Sequence, residues 1–174
     1  MVNTINSSTN IKAFSHIECI DVFRERQFDL ITAWMVLEHL PNPTEILLDF
    51  HRWLSDDGVL AISVPDASCI FRKIFGRWSY DIQVPSHISH FSPRTLRSLL
   101  SRCGFSIVKQ RFQPDSKTLL LSIAQFLDTI VPGSTAATKQ FLSTRSGLLV
   151  NICLGTILAL LRISSRIEVT AIKK

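Results

Sequence analysis

Three of the five histidines lie in two short motifs whose residue types are suited to proton transfer. His39 follows Glu38 shortly before a proline, and His87 and His90 lie in the proline-bounded segment 85–93. The ordinary pKa of histidine lies close to neutral pH, so each of the three is a candidate general base. The alternative is structural, because His39 can cap the loop before the proline and the other two can orient the backbone.

The composition predicts one globular domain that has enough apolar residues for a core. The 174 residues are 46% hydrophobic and 19% charged, which excludes disordered and fibrous classes. The formal charge is +5, but the basic residues are scattered and form no run of five or six. A nucleic-acid-binding domain usually concentrates its basic residues on one face or arm, so we predict no nucleic-acid partner.

The cysteine spacing and the N-terminal residues predict a cytoplasmic protein. Cys19, Cys69, Cys103 and Cys153 are far apart and form no C-x-x-C pair, so we predict buried thiols rather than a zinc site or a disulfide framework. Residues 1–10 are polar and lack the apolar segment of a signal peptide, so secretion is not expected.

The apolar periodicity alternates between strand and helix along the chain. Strands are predicted at 28–32, 59–64, 105–112 and 167–172, helices at 44–54 and 92–103, and apolar stretches at 119–131 and 148–161, separated by a turn. Gly58 is predicted to stop the first helix, and Ser92 and Pro93 to start the second, which Gly104 closes. This alternation predicts an α/β sheet with crossover helices and a ligand beyond the carboxyl ends of the strands.

Four sequence blocks add a more specific signal. They are FDLITAWMVLEHLPNP at 28–43, LSDDGVLAISVP at 54–65, FGRW at 75–78, and PSHISHFSP at 85–93 with Gly104-Phe105 after it. In this order they closely resemble class I, Rossmann-like S-adenosylmethionine-dependent methyltransferases of the small-molecule type. The blocks cover nearly half of the chain.

The resemblance implies a partial Rossmann-like methyltransferase sheet made of its C-terminal strands and crossover helices. Residues 21–112 would be the methyltransferase-like core, preceded by a poorly defined segment at 1–20. An apolar helical region at 113–163 would come before a closing strand at 164–174. The strands at 105–112 and 166–173 would be the antiparallel pair that closes the family's sheet.

The resemblance also implies S-adenosylmethionine as the cofactor, yet the glycine-rich turn with which the family holds it is missing. The six glycines all follow residue 57, and none lies within two residues of another. Only 27 residues precede Phe28, too few for two strand–helix units. We therefore expect an N-terminally truncated domain that needs its missing half or a partner chain. Trp34 and Asp21 are the remaining candidates near the cofactor, with buried packing and a surface carboxylate as their respective alternatives.

The implied activity is methyl transfer to a small-molecule acceptor, in which the protein supplies positioning and a general base. The candidate residues are His87, then His39 and His90, as bases, with Trp34, His87 and Phe91 beside the acceptor. In quinone O-methyltransferases a glutamate three residues before the Glu-His pair helps to bind a divalent metal. Met35 stands there, so no metal site is predicted. A non-catalytic pseudo-methyltransferase that docks on a partner is the alternative function.

The second apolar stretch raises a membrane hypothesis. Residues 147–161 carry no charge and are flanked by Arg145 and Arg162. A span needs about 20 apolar residues, and this run is short and interrupted by Asn151. We predict a helix that is buried or lies in the membrane interface, with peripheral membrane association as the alternative to a purely cytoplasmic location. Paired with residues 119–131, it would cover a lipid-like acceptor.

Overall fold

A four-stranded mixed sheet lies at the centre of the structure. The computed structural model describes residue 23 and residues 25–174. The strands of this region are β1 (Phe28–Trp34), β2 (Leu54–Pro65), β3 (Phe105–Phe112) and β4 (Arg166–Lys173). They lie in the order β1-β2-β4-β3; β1 and β2 are parallel, and β4 is antiparallel to β2 and β3. The predicted α/β class and the predicted antiparallel pair are confirmed.

Helices connect these strands throughout the described residues. They are α1 (Pro43–Trp53), α2 (Ile70–Phe75), α3 (Pro93–Arg102), α4 (Lys117–Leu127), α5 (Ser134–Leu142) and α6 (Arg145–Leu160), with single 3-10 turns at Leu37–His39 and Gly76–Trp78. The helices α1 and α3 form where the sequence predicts them. The helix α5 lies inside the predicted apolar helical region at 113–163, but only the turn before it, and not a separate helix, was predicted there.

The two ends of α3 are set by local chemistry. The Ser92 hydroxyl accepts the backbone N–H of Thr95, and the Ser92 backbone N–H donates to Thr95 Oγ1 at 2.8 Å. Pro93 occupies the first turn, where a helix loses no hydrogen bond to it. After the helix, Gly104 adopts φ +84, and a Cβ at this position would lie 2.8 Å from Nε2 of His51. The predicted cap and the predicted stop are both confirmed.

The start of β2 differs from the prediction. The sequence predicts a stop at Gly58 and a strand from Val59, whereas β2 begins at Leu54, directly after α1. Phe28 pairs with Leu54 while Leu30 pairs with Val59, so the additional residues of β2 bulge out of the ladder. A Cβ on Gly58 would lie 2.8 Å from Leu54 Cδ2. Glycine is therefore needed for this tight bulge rather than for a helix stop.

The hydrophobic core lies between the sheet and the helices α1 and α3. Its fully buried members include Leu37, Leu47, Leu54, Leu60, Ile62, Leu96, Leu100, Phe105 and Ile167. Alternate residues of β2 enter this core, because successive side chains of a strand point to opposite faces. Trp53 is also buried, as predicted from the apolar stripe of α1.

A buried polar network joins the three strands β2, β3 and β4. Ser63 Oγ donates to Gln113 Oε1 at 2.9 Å, and Gln113 Nε2 donates to Glu168 Oε2 at 2.6 Å. The other Glu168 oxygen accepts Arg111 Nε at 2.8 Å. Because both oxygens of this buried carboxylate are paired, the cost of burying its charge is offset and the strand register is reinforced.

The cysteines follow the prediction only in part. Cys69 and Cys103 are buried, whereas Cys153 is exposed on α6, and Cys19 lies outside the described residues. Burial raises the pKa of the Cys69 thiol to about 11, which keeps it protonated and unreactive. The prediction of buried thiols is wrong for Cys153, because the other described residues do not enclose the helix that carries it.

The helix α6 is apolar and mostly exposed. Its exposed apolar side chains are Leu148, Leu149, Val150, Ile152, Ile157 and Leu160. Only Gly147, Gly155 and Leu158 are buried, so the first predicted alternative, a buried helix, is wrong, and the second, a helix in the membrane interface, stays a prediction. No single helix in the described part of the chain is long and apolar enough to cross a membrane; α5 and α6 reach that length only together, and they are bent by 90°.

Candidate functional site

A cavity opens where the parallel strands β1 and β2 end. It has a volume of about 140 Å³ and borders Met35, which follows β1, and Pro65, which ends β2. The other lining residues are Tyr80, Asp81, Gln83, His87, Asp115, Lys117, Thr118, Ser165 and Arg166. This is the place predicted for a ligand, because loops that follow parallel strands converge at the carboxyl edge of the sheet.

The loop between α2 and α3 places His87 in the wall of this cavity. His87 is 5% exposed, and its Nδ1 lies 2.7 Å from the Asp81 carbonyl oxygen. A carbonyl only accepts hydrogen bonds, so Nδ1 carries the proton and Nε2 holds the free lone pair. The Asp81 carboxylate is also buried: Oδ1 accepts the Ser79 hydroxyl at 2.5 Å, whereas Oδ2 has no hydrogen-bond partner among the described residues.

The same loop is fastened to the 3-10 turn that carries His39. The Glu38 carbonyl accepts the backbone N–H groups of Ile88 and Ser89 at 2.8 and 3.0 Å. His39 Nδ1 donates to the Ser86 carbonyl at 2.8 Å, and the rings of His39 and His87 are 4.8 Å apart. Two of the predicted histidines, distant in sequence, are therefore neighbours in the fold.

The other predicted residues lie apart from this pair. His90 is exposed, Arg72 donates to its Nδ1 at 3.3 Å, and partial burial together with the charge of Arg72 lowers its pKa. Phe91 is 6% exposed and packs in the hydrophobic core, so it is not available to an acceptor. Trp34 ends β1 with 47% of its surface exposed, so it is not buried packing. Asp21 lies outside the described residues.

Glu38 was not singled out from the sequence as a functional residue. It is 1% exposed, and neither carboxylate oxygen has a hydrogen-bond partner among the described atoms. Burial raises the pKa of this carboxyl group. Glu38, His39 and His87 each offer one ligand atom, and these atoms lie within 4.8 Å of one another. The sequence around Glu38 does not reveal this cluster. Glu38 lies in an apolar run, and His87 comes from a loop that is distant in the sequence.

The described residues do not form a cradle for S-adenosylmethionine. None of the six glycines, which are all described, lines the cavity. Four of them lie against neighbouring chain atoms: Gly58, Gly104, Gly147 and Gly155. The other two, Gly76 and Gly133, face open space at positive φ. A cofactor of this size needs a close approach of bare backbone. The described cavity therefore lacks the bare glycine backbone with which this family holds its cofactor.

The comparisons with known proteins agree with this fold. Residues 5–110 match a family model described as a methyltransferase domain. A methyltransferase from Archaeoglobus fulgidus aligns with 99% of this chain and 72% of its own, at a TM-score of 0.58 and 18% identity. A methyltransferase in complex with the Haloferax volcanii Trm112 activator aligns with 99% of this chain and 67% of its own, at a TM-score of 0.59 and 13% identity.

The same limited coverage is seen with a third structure. A protein from Galdieria sulphuraria, assigned as a sarcosine dimethylglycine methyltransferase, aligns with 99% of this chain and 63% of its own, at a TM-score of 0.54 and 15% identity. The chain thus spans about two thirds of the length of these structures, and no curated protein matches it. The family match covers more than half of the residues, and the chain belongs to the methyltransferase-domain family of class I S-adenosylmethionine-dependent methyltransferases.

Proposed function

We propose that this chain forms the acceptor side of an S-adenosylmethionine-dependent methyltransferase that acts on a small polar molecule. The observation that carries the proposal is the cavity at the carboxyl ends of β1 and β2, with His87 in its wall. Its small volume suits the reacting end of an acceptor rather than a whole macromolecular surface. The family membership supplies the reaction class.

His87 is the proposed general base. Its Nδ1 is held by the Asp81 carbonyl, which fixes the tautomer and leaves Nε2 to accept a proton from an acceptor N–H or O–H. Lys117 and Arg166 border the cavity and suit an acceptor that also carries a negative group.

The cofactor half of the site is proposed to come from residues outside those described or from a partner chain. The test is calorimetric titration of the 174-residue chain with S-adenosylmethionine and its demethylated product, beside a chain extended upstream through any glycine-rich segment that its gene encodes. We expect binding by the extended chain alone. Micromolar binding by the 174-residue chain would contradict an incomplete cofactor site. Binding by neither chain would favour the non-catalytic, partner-docking alternative.

The role of His87 is tested by substitution in the chain that binds the cofactor. His87→Gln is expected to lower methyl transfer about 10²- to 10⁴-fold, the usual contribution of a general base. Small phenols, catechols and amines serve as methyl acceptors. Methyl transfer to each is measured as the amount of demethylated cofactor formed at several pH values. His51→Gln is the control, because His51 lies on α1 and packs on Phe105. Equal activity and an unchanged pH profile for His87→Gln would rule out a base at this position.

The exposed apolar surface of α6 supports a second proposal, association with an anionic membrane surface. Leu149 is 63% and Leu160 79% exposed. Residues 129–167 contain no Asp or Glu, whereas Lys139, Arg145 and Arg162 lie at or beside the helix ends. An apolar helix face with basic flanks is the combination that binds in the interface of an anionic bilayer. The acceptor would then be a molecule drawn from that interface.

Vesicle sedimentation tests the membrane proposal. The chain is expected to co-sediment with vesicles of phosphatidylglycerol and phosphatidylcholine, and more weakly with phosphatidylcholine alone. The double change Leu149→Glu, Leu160→Glu should reduce bound protein about tenfold or more, because it places charge in the apolar interface. Val108→Glu, at an exposed position of β3, is the control. Equal binding by all three proteins would exclude α6 as the contact.

A further inference from the structure

We propose that Glu38, His39 and His87 form a binding site for a divalent transition-metal ion. Their ligand atoms, one carboxylate oxygen and two imidazole nitrogens, already lie within 4.8 Å of one another. Bonds of about 2.0–2.2 Å would bring such ligands closer together than this, so the cluster must contract slightly around an ion. The proposal does not rest on the proposed methyl transfer.

The hydrogen bonds of the two histidines support this assignment. Nδ1 of His39 donates to the Ser86 carbonyl, and Nδ1 of His87 donates to the Asp81 carbonyl. Metal-binding histidines commonly donate one ring N–H to a backbone carbonyl, which fixes the ring and leaves the other nitrogen as the ligand. Both histidines have this arrangement.

Glu38 gives the independent observation. A buried carboxylate is normally paired with a donor, because an unpaired one loses its solvation without compensation. Glu38 is 1% exposed, and both of its carboxylate oxygens lack a hydrogen-bond partner in the described part of the chain, while the charge of Arg166 acts on them without a hydrogen bond. A cation beside it would supply the missing interaction. The cluster thus offers one carboxylate oxygen and two imidazole nitrogens.

The ligand types indicate which cation suits the site. Imidazole nitrogens favour zinc, iron(II), cobalt(II) and nickel over magnesium, which prefers oxygen ligands. Three protein ligands leave at least one coordination position open. A metal held there would occupy Nε2 of His87, so the proposed base role of that nitrogen belongs to the metal-free chain.

Cobalt(II) and zinc titrations of the full chain test the site. We expect one equivalent of cobalt(II) to produce a visible d–d spectrum that zinc abolishes and magnesium leaves unchanged.

Three variants make the test specific. His39→Gln changes an exposed residue and should fold normally, and Glu38→Gln keeps the size of the side chain; each is expected to weaken cobalt and zinc binding about tenfold or more, as the loss of a ligand contact does. His90→Ala is the matched control, because His90 lies in the same loop but outside the cluster. Equal affinity of the wild type, His39→Gln and Glu38→Gln, or no binding by a folded wild-type chain, would overturn the proposal.

Discussion

Phe105→Ala is expected to lower the free energy of unfolding by about 3–5 kcal/mol, the usual cost of emptying a large aromatic site in a core. Phe105 begins β3, is 1% exposed and packs edge-on against the His51 ring at 5.2 Å between centroids. It therefore ties the closing strands to α1. Urea denaturation followed by circular dichroism measures the change.

Val108→Ala is the control for this prediction. Val108 lies on the same strand, but its side chain is 57% exposed, so its truncation should cost less than about 1 kcal/mol. If both variants lost the same stability, the assignment of the inward face of β3 would be wrong, because a one-residue shift of register exchanges the two faces of a strand.

Gly155→Ala is expected to destabilise the chain by about 1–3 kcal/mol, as overpacking does. A Cβ at this position would lie 2.7 Å from the Asp115 backbone nitrogen and 2.9 Å from the Pro114 carbonyl carbon. Both are backbone atoms, which cannot rotate away. The change must therefore push α6 off the segment that leads into α4.

The same substitution is expected to disturb the wall of the cavity. Asp115 Oδ2 accepts the hydroxyls of Ser165 and Thr118 at 2.9 and 3.0 Å, and all three residues line the cavity. Thermal unfolding and amide hydrogen exchange of residues 115–118 measure the two effects. Thr156→Ala, at the next and exposed position, should change stability by less than about 0.5 kcal/mol. Stability equal to the wild type in Gly155→Ala would show that α6 is not packed at this point.

The cluster of Glu38, His39 and His87 was not predicted from the sequence. The sequence predicted no metal site, because Met35 replaces the glutamate that quinone O-methyltransferases have there. In the fold, His87 approaches Glu38 and His39 from the loop between α2 and α3, and it supplies the third ligand that we propose. Such a ligand cannot be found by reading the residues near the Glu-His pair.

The sequence by itself determined the features that depend on neighbouring residues. The cap of α3 follows from Ser92 and Pro93, because a hydroxyl and a ring-locked φ act within one helical turn. The strand–helix alternation follows from local apolar periodicity, and the four motif blocks carried the family assignment. The apolar helical region after β3 was also predicted, although the exposure of its last helix inside the described structure follows only from the fold.

The tertiary structure alone decided which distant groups meet and which surfaces are covered. The amides of Ile88 and Ser89 bind the Glu38 carbonyl, and this contact brings two histidine rings together. The exposure of α6 and the bulge that starts β2 likewise depend on what packs against each segment. Local propensity acts over a few residues, whereas burial and long-range hydrogen bonds are properties of the assembled chain, and the chemistry of this site depends on the latter.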